Sequence, residues 1–176
     1  MTRDPGWLAS HLRDVPDFPQ PGIVFKDLTP LLADVDAFRY AVDAIADHAA
    51  GLTVDKVVGI EARGFIFAAA VAYRLGAGFV PVRKPGKLPW KTVTETYELE
   101  YGTDALEIHD DGLTAGDAVY VVDDVLATGG TAAATCRLVD RLGGVIAGLA
   151  FVVELGFLGG RAKLPEEHDV LALITV

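Results

Sequence analysis

Two periodicities of apolar residues alternate along the chain. Short continuous apolar stretches are typical of buried strands, whereas apolar residues three or four positions apart are typical of helices that pack on one face. The predicted strands cover residues 56–60, 78–82, 118–122, 145–153 and 170–176, and the predicted helices cover 1–14, 33–50, 64–75 and 131–142. This alternation predicts an α/β fold with a doubly wound, mainly parallel sheet, whose ligands bind at the carboxyl ends of the strands.

Two segments interrupt the alternation. Residues 17–32 follow Pro16 and contain Pro19 and Pro21, so we expect them to cross the surface without a regular element. Residues 83–116 are polar, with alternating stretches at 94–101 and 105–109, which predict a long loop leading into a hairpin. We expect this hairpin to be a flexible hood over the strand ends, because long polar connections within a domain are commonly lids.

Length, charge and cysteine content narrow the possible classes of protein. The 176 residues suit a single domain spanning 1–176. A net charge of −10 disfavours nucleic-acid and membrane-surface partners, so any phosphate must be held by local groups. The single cysteine, Cys136, excludes an internal disulfide framework and fits a reducing cytoplasm. We expect neither a membrane span nor a signal peptide, since the chain has no apolar run suited to either.

The most informative segment lies between the strand at 118–122 and the helix at 131–142. Asp123 and Asp124 follow the strand, and a turn of small and hydroxyl residues comes next: Ala127, Thr128, Gly129, Gly130 and Thr131. Adjacent glycines let backbone N–H groups face a ligand, and the helix N-terminus adds its dipole, so the turn predicts a phosphate site. Two carboxylates, which only accept hydrogen bonds, suit a vicinal diol. Phosphate and diol together indicate a ribose 5-phosphate; the alternative is an ordinary strand end and loop.

Other phosphate and metal motifs are incomplete. Residues 59–64 have the glycine spacing of a Walker loop, but Phe65 stands where that loop requires lysine. No Gly-x-Gly-x-x-Gly pattern follows a strand, and the four histidines lack metal-ligand spacing. A dinucleotide site and a histidine metal site are therefore unsupported.

The string VVDDVLATGGT, at 121–131, resembles the phosphoribosyl-pyrophosphate motif of type I phosphoribosyltransferases. Three further strings, at 17–32, 57–72 and 80–109, are similar to the adenine phosphoribosyltransferase family in particular. The resemblance implies a pentosyltransferase of purine salvage that condenses adenine with phosphoribosyl pyrophosphate to AMP and pyrophosphate. It also implies a homodimer, and Mg²⁺ carried by the substrate pyrophosphate without dedicated protein ligands.

The same resemblance assigns residues to the leaving pyrophosphate. In the family this group is held by the stretch that corresponds to Glu61, Ala62 and Arg63, with a cis peptide expected between the first two. Four cations also stand within nine residues of this acidic chain: Arg83, Lys84, Lys87 and Lys91. A solvated loop is the alternative for this cluster. The resemblance implies instead that it screens pyrophosphate, with Arg83, Lys84 and Lys87 as binding residues.

Glu100 matches the family's catalytic carboxylate, which exchanges a proton with the purine ring. Glu98 lies two residues away and would share its face on a strand, so spacing alone does not choose between them; the LEYG context favours Glu100. The resemblance also implies an adenine pocket, made by Val24, Phe25, Lys26 and Leu155. Core packing is the alternative for Phe25.

Two other functions are disfavoured. Relatives that use 6-oxopurines carry an acidic residue in the phosphate loop at the position of Ala127, so the resemblance argues against such a substrate. A regulator that senses phosphoribosyl pyrophosphate and controls transcription would require a basic surface or a DNA-binding module, and the net charge has the wrong sign. Such a regulator would also have lost the catalytic carboxylate, which this chain retains as Glu100.

Overall fold

The computed structural model describes residues 5–98 and 102–176. In chain order, the helices are α1 (Pro5–Ala9), α2 (Thr29–Ala33), α3 (Val35–His48), α4 (Gly64–Leu75) and α5 (Gly130–Arg141). The strands are β1 (Arg13–Pro16), β2 (Val24–Asp27), β3 (Lys56–Ile60), β4 (Gly78–Val82), β5 (Thr92–Glu98), β6 (Thr103–His109), β7 (Ala118–Leu126), β8 (Val145–Glu154) and β9 (Val170–Thr175). Two 3₁₀ turns, Gly156–Leu158 and Gly160–Lys163, follow β8.

Five parallel strands in the order β4-β3-β7-β8-β9 form the central sheet. The middle strand, β7, is hydrogen-bonded to β3 and β8, and most of its side chains are buried. Successive residues point to opposite faces, so Val121 belongs to one apolar layer while Tyr120 and Val122 belong to the other. The predicted α/β fold with a mainly parallel sheet is confirmed.

Helices cover both faces of this sheet. On one face α3 and α4 bury residues such as Ile45, Phe67 and Val71, and on the other α5 buries Leu138 and Val139. These two layers fix the strands, and therefore the loops that leave their carboxyl ends. Within the described ranges, none of the helices combines the length and apolar character needed to cross a bilayer.

The proline-rich N-terminal segment is more regular than its sequence predicts. A helix is predicted over 1–14, but in the described residues α1 covers only Pro5–Ala9. Strand β1 follows it and pairs antiparallel with β2. The expectation that 17–32 contains no regular element is wrong, since β2 and α2 lie there. Pro19 and Pro21 lie in the turn between the strands, and Pro30 occupies the first turn of α2, where a missing N–H costs no helical hydrogen bond.

The hairpin β5–β6, which we call the hood, packs along α5. Its Glu95 Oε1 lies 2.5 Å from Arg137 Nε, and Arg141 Nη1 donates to the Thr94 carbonyl oxygen at 2.6 Å. Tyr97 is buried between the hairpin and the helix. The predicted hairpin is therefore confirmed, while its flexibility stays a prediction.

Strand β7 is longer than predicted. It continues past residue 122 to Leu126, so Asp123 and Asp124 lie within the strand rather than after it. Backbone pairing with β8 extends as far as Leu126 and Glu154, which explains the extra length. The strand thus carries two carboxylates to the edge of the sheet in a fixed position.

Gly59→Ala is expected to destabilise the protein by about 1–3 kcal/mol, because overpacked cores must shift their neighbours. A Cβ at this strand position would lie 2.7 Å from both Ala68 Cβ and Phe79 Cε2. Gly51→Ala is the matched control, since a Cβ there meets no described atom within 4 Å, and it should be neutral or slightly stabilising. Urea unfolding measures both; an unchanged midpoint for Gly59→Ala would contradict the close packing of β3 on α4.

Candidate active site

The predicted site residues follow the carboxyl ends of four neighbouring strands. Residues 61–63 follow β3, Arg83 follows β4, residues 127–131 follow β7, and Leu155 follows β8. Because these strands are parallel, their carboxyl ends lie at one edge of the sheet. The fold therefore brings the groups predicted for phosphate, diol and pyrophosphate to the same edge.

Residues 127–131, which we call the phosphate loop, form a tight turn between β7 and α5. Gly129 has a φ of 79°, in the left-handed region that favours glycine, and stands at the N-cap of α5. No side chain among the described residues caps this helix, so its first N–H groups are available to an anion. The loop lines a small pocket together with Asp123. This geometry suits a phosphate group.

Asp123 and Asp124 are buried beside this loop. Asp123 Oδ1 accepts a hydrogen bond of 2.8 Å from the Asp124 N–H, and Asp124 Oδ2 lies 2.6 Å from Arg63 Nε. The contact with Arg63 is an ion pair without hydrogen-bond alignment, and Asp124 Oδ2 is buried without a hydrogen-bond partner among the described residues. Gly64 is required next to the pair, because a Cβ there would collide with Asp123 Oδ1.

The surroundings of Asp123 favour its protonated form. Burial raises the pKa of Asp123 well above its usual range, and the Asp124 carboxylate adds to the rise. The Asp124 N–H and the Arg63 guanidinium oppose the rise without cancelling it. A ligand that donates hydrogen bonds to Asp123 would favour its charged form.

Glu61 accepts hydrogen bonds from residues 83–91 after β4, which we call the basic segment. Arg83 Nη2 donates to Glu61 Oε1 at 2.8 Å, and the Lys84 N–H donates to Oε2 at 2.9 Å. The hydrogen bond from Arg83 lowers the pKa of Glu61, with burial acting in the opposite direction. The peptide between Glu61 and Ala62 is cis, as the resemblance implies. In this arrangement Glu61 orients Arg83, whose Nε is buried without a hydrogen-bond partner in the described part of the chain.

Lys84 belongs to a polar network that reaches the phosphate loop. Its Nζ contacts Asp104 Oδ2 and lies 3.3 Å from the Tyr97 hydroxyl oxygen. That hydroxyl oxygen is 3.2 Å from Asp104 Oδ2 and 3.3 Å from Thr131 Oγ1. Burial alone would lower the pKa of Lys84, but the hydrogen bonds to Asp104 and Tyr97 outweigh it and raise the pKa. The network links the basic segment, the hood and the phosphate loop.

Lys87 and Lys91, the other two lysines of the basic segment, have exposed side chains. The Lys87 carbonyl oxygen accepts a hydrogen bond of 3.2 Å from Arg83 Nη1, so the backbone of the segment folds back on Arg83. Arg83 and Lys84 are therefore held by carboxylates, whereas the side chains of Lys87 and Lys91 are exposed.

The predicted adenine residues on β2 lie next to Arg63. The guanidinium carbon of Arg63 is 5.3 Å from the centre of the Phe25 ring, and the Phe18 ring packs edge-on against Phe25 at 5.2 Å. Phe25 is only half-buried and Val24 is exposed, which disfavours the alternative that Phe25 serves core packing. An aromatic face is thus available near the end of β3.

The other two predicted adenine residues differ in their surroundings. Lys26 Nζ pairs with Asp14 Oδ1 at 2.7 Å across the β1–β2 ribbon, which occupies its side chain. Leu155 packs against the apolar layer of α3 and α4, and its N–H donates to the Leu126 carbonyl oxygen at 2.9 Å. That bond joins the ends of β7 and β8.

Glu100, the predicted catalytic carboxylate, lies outside the described residues. Strand β5 ends at Glu98, whose side chain is exposed, while its neighbour Tyr97 points towards α5. Alternate residues of a strand share a face, so the choice between the two carboxylates stays a prediction.

The carboxylates of the site offer little to a metal ion on their own. Within residues 5–98 and 102–176, no three His, Cys, Asp or Glu side chains are grouped as a metal site. Arg63 already stands against one oxygen of the Asp123–Asp124 pair. Magnesium prefers an octahedral set of oxygen ligands, so this donor set fits an ion that brings most of its own ligands.

Comparison with known proteins defines the class of the chain. The family model for the phosphoribosyl transferase domain matches residues 29–174. The crystal structure of adenine phosphoribosyltransferase from Rhodothermus marinus superimposes with a TM-score of 0.94 at 50% identity and covers 98% of each chain. The fold is that of a type I phosphoribosyltransferase, a pentosyltransferase enzyme.

Relatives narrow this class further. The adenine phosphoribosyltransferase of Acidobacterium capsulatum is 59% identical over 167 residues, which is 95% of this chain and 92% of the relative. That of Saccharomyces cerevisiae, solved with adenine and an imino-altritol bisphosphate, has a TM-score of 0.91 at 42% identity and covers 96% of this chain and 97% of its own. The chain belongs to the adenine phosphoribosyltransferase family.

Residues that the sequence analysis does not single out also shape the site. They are Tyr97, Asp104, Gly160 and Arg161. The alternation along β5 marks Tyr97 as an inward-facing residue, and a second Gly-Gly pair after a strand, Gly159–Gly160, repeats the signal at the phosphate loop. No local pattern identifies Asp104, because its partner Lys84 is distant in sequence. None identifies Arg161, because nothing in the sequence distinguishes its partner Glu154 from other carboxylates.

Asp123→Asn is expected to raise the melting temperature at pH 8 by about 2–4 °C, or on the order of 1 kcal/mol. The amide removes a buried carboxylate from beside Asp124 and keeps an acceptor for the Asp124 N–H. A raised pKa means that the native state binds more protons than the unfolded state above the usual Asp pKa, so wild-type stability falls as pH rises through that window. The advantage of the variant should therefore shrink between pH 8 and pH 4.

Thermal unfolding followed by circular dichroism at pH 4, 6 and 8 measures this effect. Asp111→Asn is the matched control, since Asp111 is the second residue of an exposed Asp-Asp pair. It should leave the melting temperature unchanged across this range. Lower stability of Asp123→Asn than of wild type at pH 8 would contradict the assigned direction of the pKa.

Proposed function

We propose that this chain condenses adenine with phosphoribosyl pyrophosphate to give AMP and pyrophosphate, a salvage route to AMP. The observation that carries this proposal is the phosphate loop, with the uncapped N-terminus of α5 beside the buried Asp123–Asp124 pair. These groups suit the phosphate and the diol of a ribose 5-phosphate, which both phosphoribosyl pyrophosphate and AMP contain. Membership of the adenine phosphoribosyltransferase family supports adenine as the base.

In this reaction the ribosyl group is held by residues 123–131. The backbone N–H groups of the phosphate loop and the hydroxyls of Thr128 and Thr131 donate to the 5′-phosphate, with Ala127, Gly129 and Gly130 leaving room for it. Asp123 and Asp124 accept from the two ribose hydroxyls. Ala127 carries no carboxylate, so the loop supplies no general base to the purine.

The leaving pyrophosphate is proposed to meet the cations of the site. These are Arg63, Arg83, Lys84 and Lys87, next to the backbone of residues 61–62. Fixed positive groups stabilise the charge that develops on the leaving oxygen as the bond from C1′ to pyrophosphate breaks. A magnesium ion bound by the substrate pyrophosphate would neutralise part of that charge.

Adenine is proposed to lie against Phe25, with Leu155 on its other side and backbone groups of Val24 and Lys26 accepting from its exocyclic amine. Its N9 attacks C1′, forming the new bond as the bond to pyrophosphate breaks, so the base must lose one proton. Glu100 accepts that proton from N7. The hood closes over the ribosyl cation and keeps water from it.

A homodimer is the proposed assembly. Ile66 and Tyr73 lie seven residues apart on α4, so they share a face, and they are 43% and 90% exposed. Phe79, on the edge strand β4, is 38% exposed. An apolar surface beside a sheet edge is typical of subunit contacts.

We further propose that the chain acts as one catalytic domain spanning 1–176, in the cytoplasm, where its single cysteine stays reduced.

An activity screen tests the proposed reaction. Purified protein with Mg²⁺ and phosphoribosyl pyrophosphate is offered adenine, hypoxanthine, guanine, xanthine, uracil and orotate in turn, and nucleotide and pyrophosphate are measured. Adenine should be the base consumed, with removal of Mg²⁺ by a chelator reducing the rate. Preference for a 6-oxopurine or a pyrimidine would overturn the proposal.

Glu100→Gln is expected to lower kcat by about 10²–10⁴-fold, because glutamine keeps the shape of the side chain but exchanges no proton. Glu98→Gln is the matched control and should have a much smaller effect. Steady-state kinetics with adenine and phosphoribosyl pyrophosphate compare the two. If Glu98→Gln lowers kcat as much as Glu100→Gln or more, the assignment of the acid–base residue is wrong.

A further inference from the structure

The 3₁₀ turns after β8 form a wall behind the phosphate loop. We call residues 156–163 the buttress. A Cβ placed on Gly160 would collide with the Ala127 carbonyl oxygen and lie 2.8 Å from the Gly129 nitrogen. A Cβ placed on Gly129 would collide with the Gly160 carbonyl oxygen. The two backbones therefore touch, and neither position has room for a side chain.

The buttress is itself anchored to the sheet. Arg161 Nε and Nη2 donate to the two carboxylate oxygens of Glu154, at 3.1 and 2.5 Å, and Arg161 Nη1 donates to the Val170 carbonyl oxygen at 2.8 Å. Glu154 is the last residue of β8 and is buried, and Val170 begins β9. A bidentate pair of this kind fixes orientation as well as distance. The wall is thus tied to two strands of the central sheet.

The position of this wall matters because the phosphate loop is proposed to bind through its backbone. The direction of each loop N–H depends on the torsion angles of residues 127–130, and Gly129, whose φ is left-handed, lies against Gly160. A displacement of about 1 Å in a binding group can cost 10²-fold in rate. Tyr97 reaches the loop at the Thr131 side chain, whereas the contact with Gly160 supports the backbone at residues 127–129.

We propose that Gly160 is a positioning residue, which sets the shape of the phosphate loop through direct backbone contact while Glu154 and Arg161 hold it in place. This inference rests on the proposed role of the loop in binding the 5′-phosphate. Gly160 contacts the backbone of the loop at Ala127 and Gly129. It should therefore control affinity for the phosphate of AMP, with little effect on the part of the ligand that lacks phosphate.

Neighbouring glycines separate this role from a general effect on folding. Gly160 has a φ outside the left-handed region, so alanine suits its backbone and meets only the steric obstacle of the loop backbone at Ala127 and Gly129. Gly159 has a φ of 63° and a Cβ position open among the described atoms, so alanine there strains the backbone without touching the loop. Gly159→Ala is therefore the matched control for Gly160→Ala.

Calorimetric titration with AMP and with adenosine tests the inference, alongside urea unfolding of each variant. Gly160→Ala should weaken AMP binding by about 10–100-fold and change adenosine binding by less than about 3-fold, in line with a misplaced binding group. Gly159→Ala should lower stability and leave the ratio of the two affinities unchanged. Wild-type affinity for AMP in Gly160→Ala, or an equal loss for both ligands, would overturn the proposal.

Arg161→Lys provides a second route if Gly160→Ala does not fold. Lysine keeps the charge but not the fork that binds both Glu154 oxygens and Val170. The variant should lose affinity for AMP and not for adenosine, and unchanged affinity for AMP would contradict the anchoring role. The wild-type protein tests the proposed role of the loop itself. If it binds AMP no better than adenosine, the phosphate loop is misassigned. If the wild type prefers AMP and Gly160→Ala keeps the same preference, only the role of Gly160 is refuted.

Discussion

Parallel pairing of β7 with β3 and β8 is the constraint on which the rest of the site depends. The pairing with β8 extends β7 beyond its apolar section, so that Asp123 and Asp124 emerge buried at the edge where three other strands also end. Two adjacent carboxylates at such a place are costly. Gly64, which leaves space for Asp123, and Arg63, which neutralises Asp124, come from the turn that follows β3. The order of the strands is thus what makes the acidic pair tolerable.

Each inner cation of the site is held against a carboxylate. Arg63 is held by Asp124, Arg83 by Glu61 and Lys84 by Asp104. These partners keep long side chains in one place, and groups held in place need little reorganisation when a polyanion arrives. The local arrangement explains how a chain with a net charge of −10 can present cations at the ends of its strands.

The sequence alone predicts the central sheet and the phosphate loop well, because both depend on local signals. Apolar runs mark the strands, and the helix 64–75 is correct to the residue. The ribbon of β1 and β2 is missed because prolines mark turns but do not exclude short strands between them. Glu61 is a different case, since the resemblance assigns it to the pyrophosphate, while its contact with Arg83 becomes visible only once β3 and β4 are paired. Contacts between segments distant in sequence leave no periodic trace.

The contact between Gly129 and Gly160 limits the substitutions that this chain can accept. A side chain added at either glycine would strike main-chain atoms, and main chain cannot be exchanged for something smaller. In a core contact between two side chains, one can grow as the other shrinks, but here both partners are already at the minimum size. A change in the outline of one loop therefore requires a new backbone path in the other.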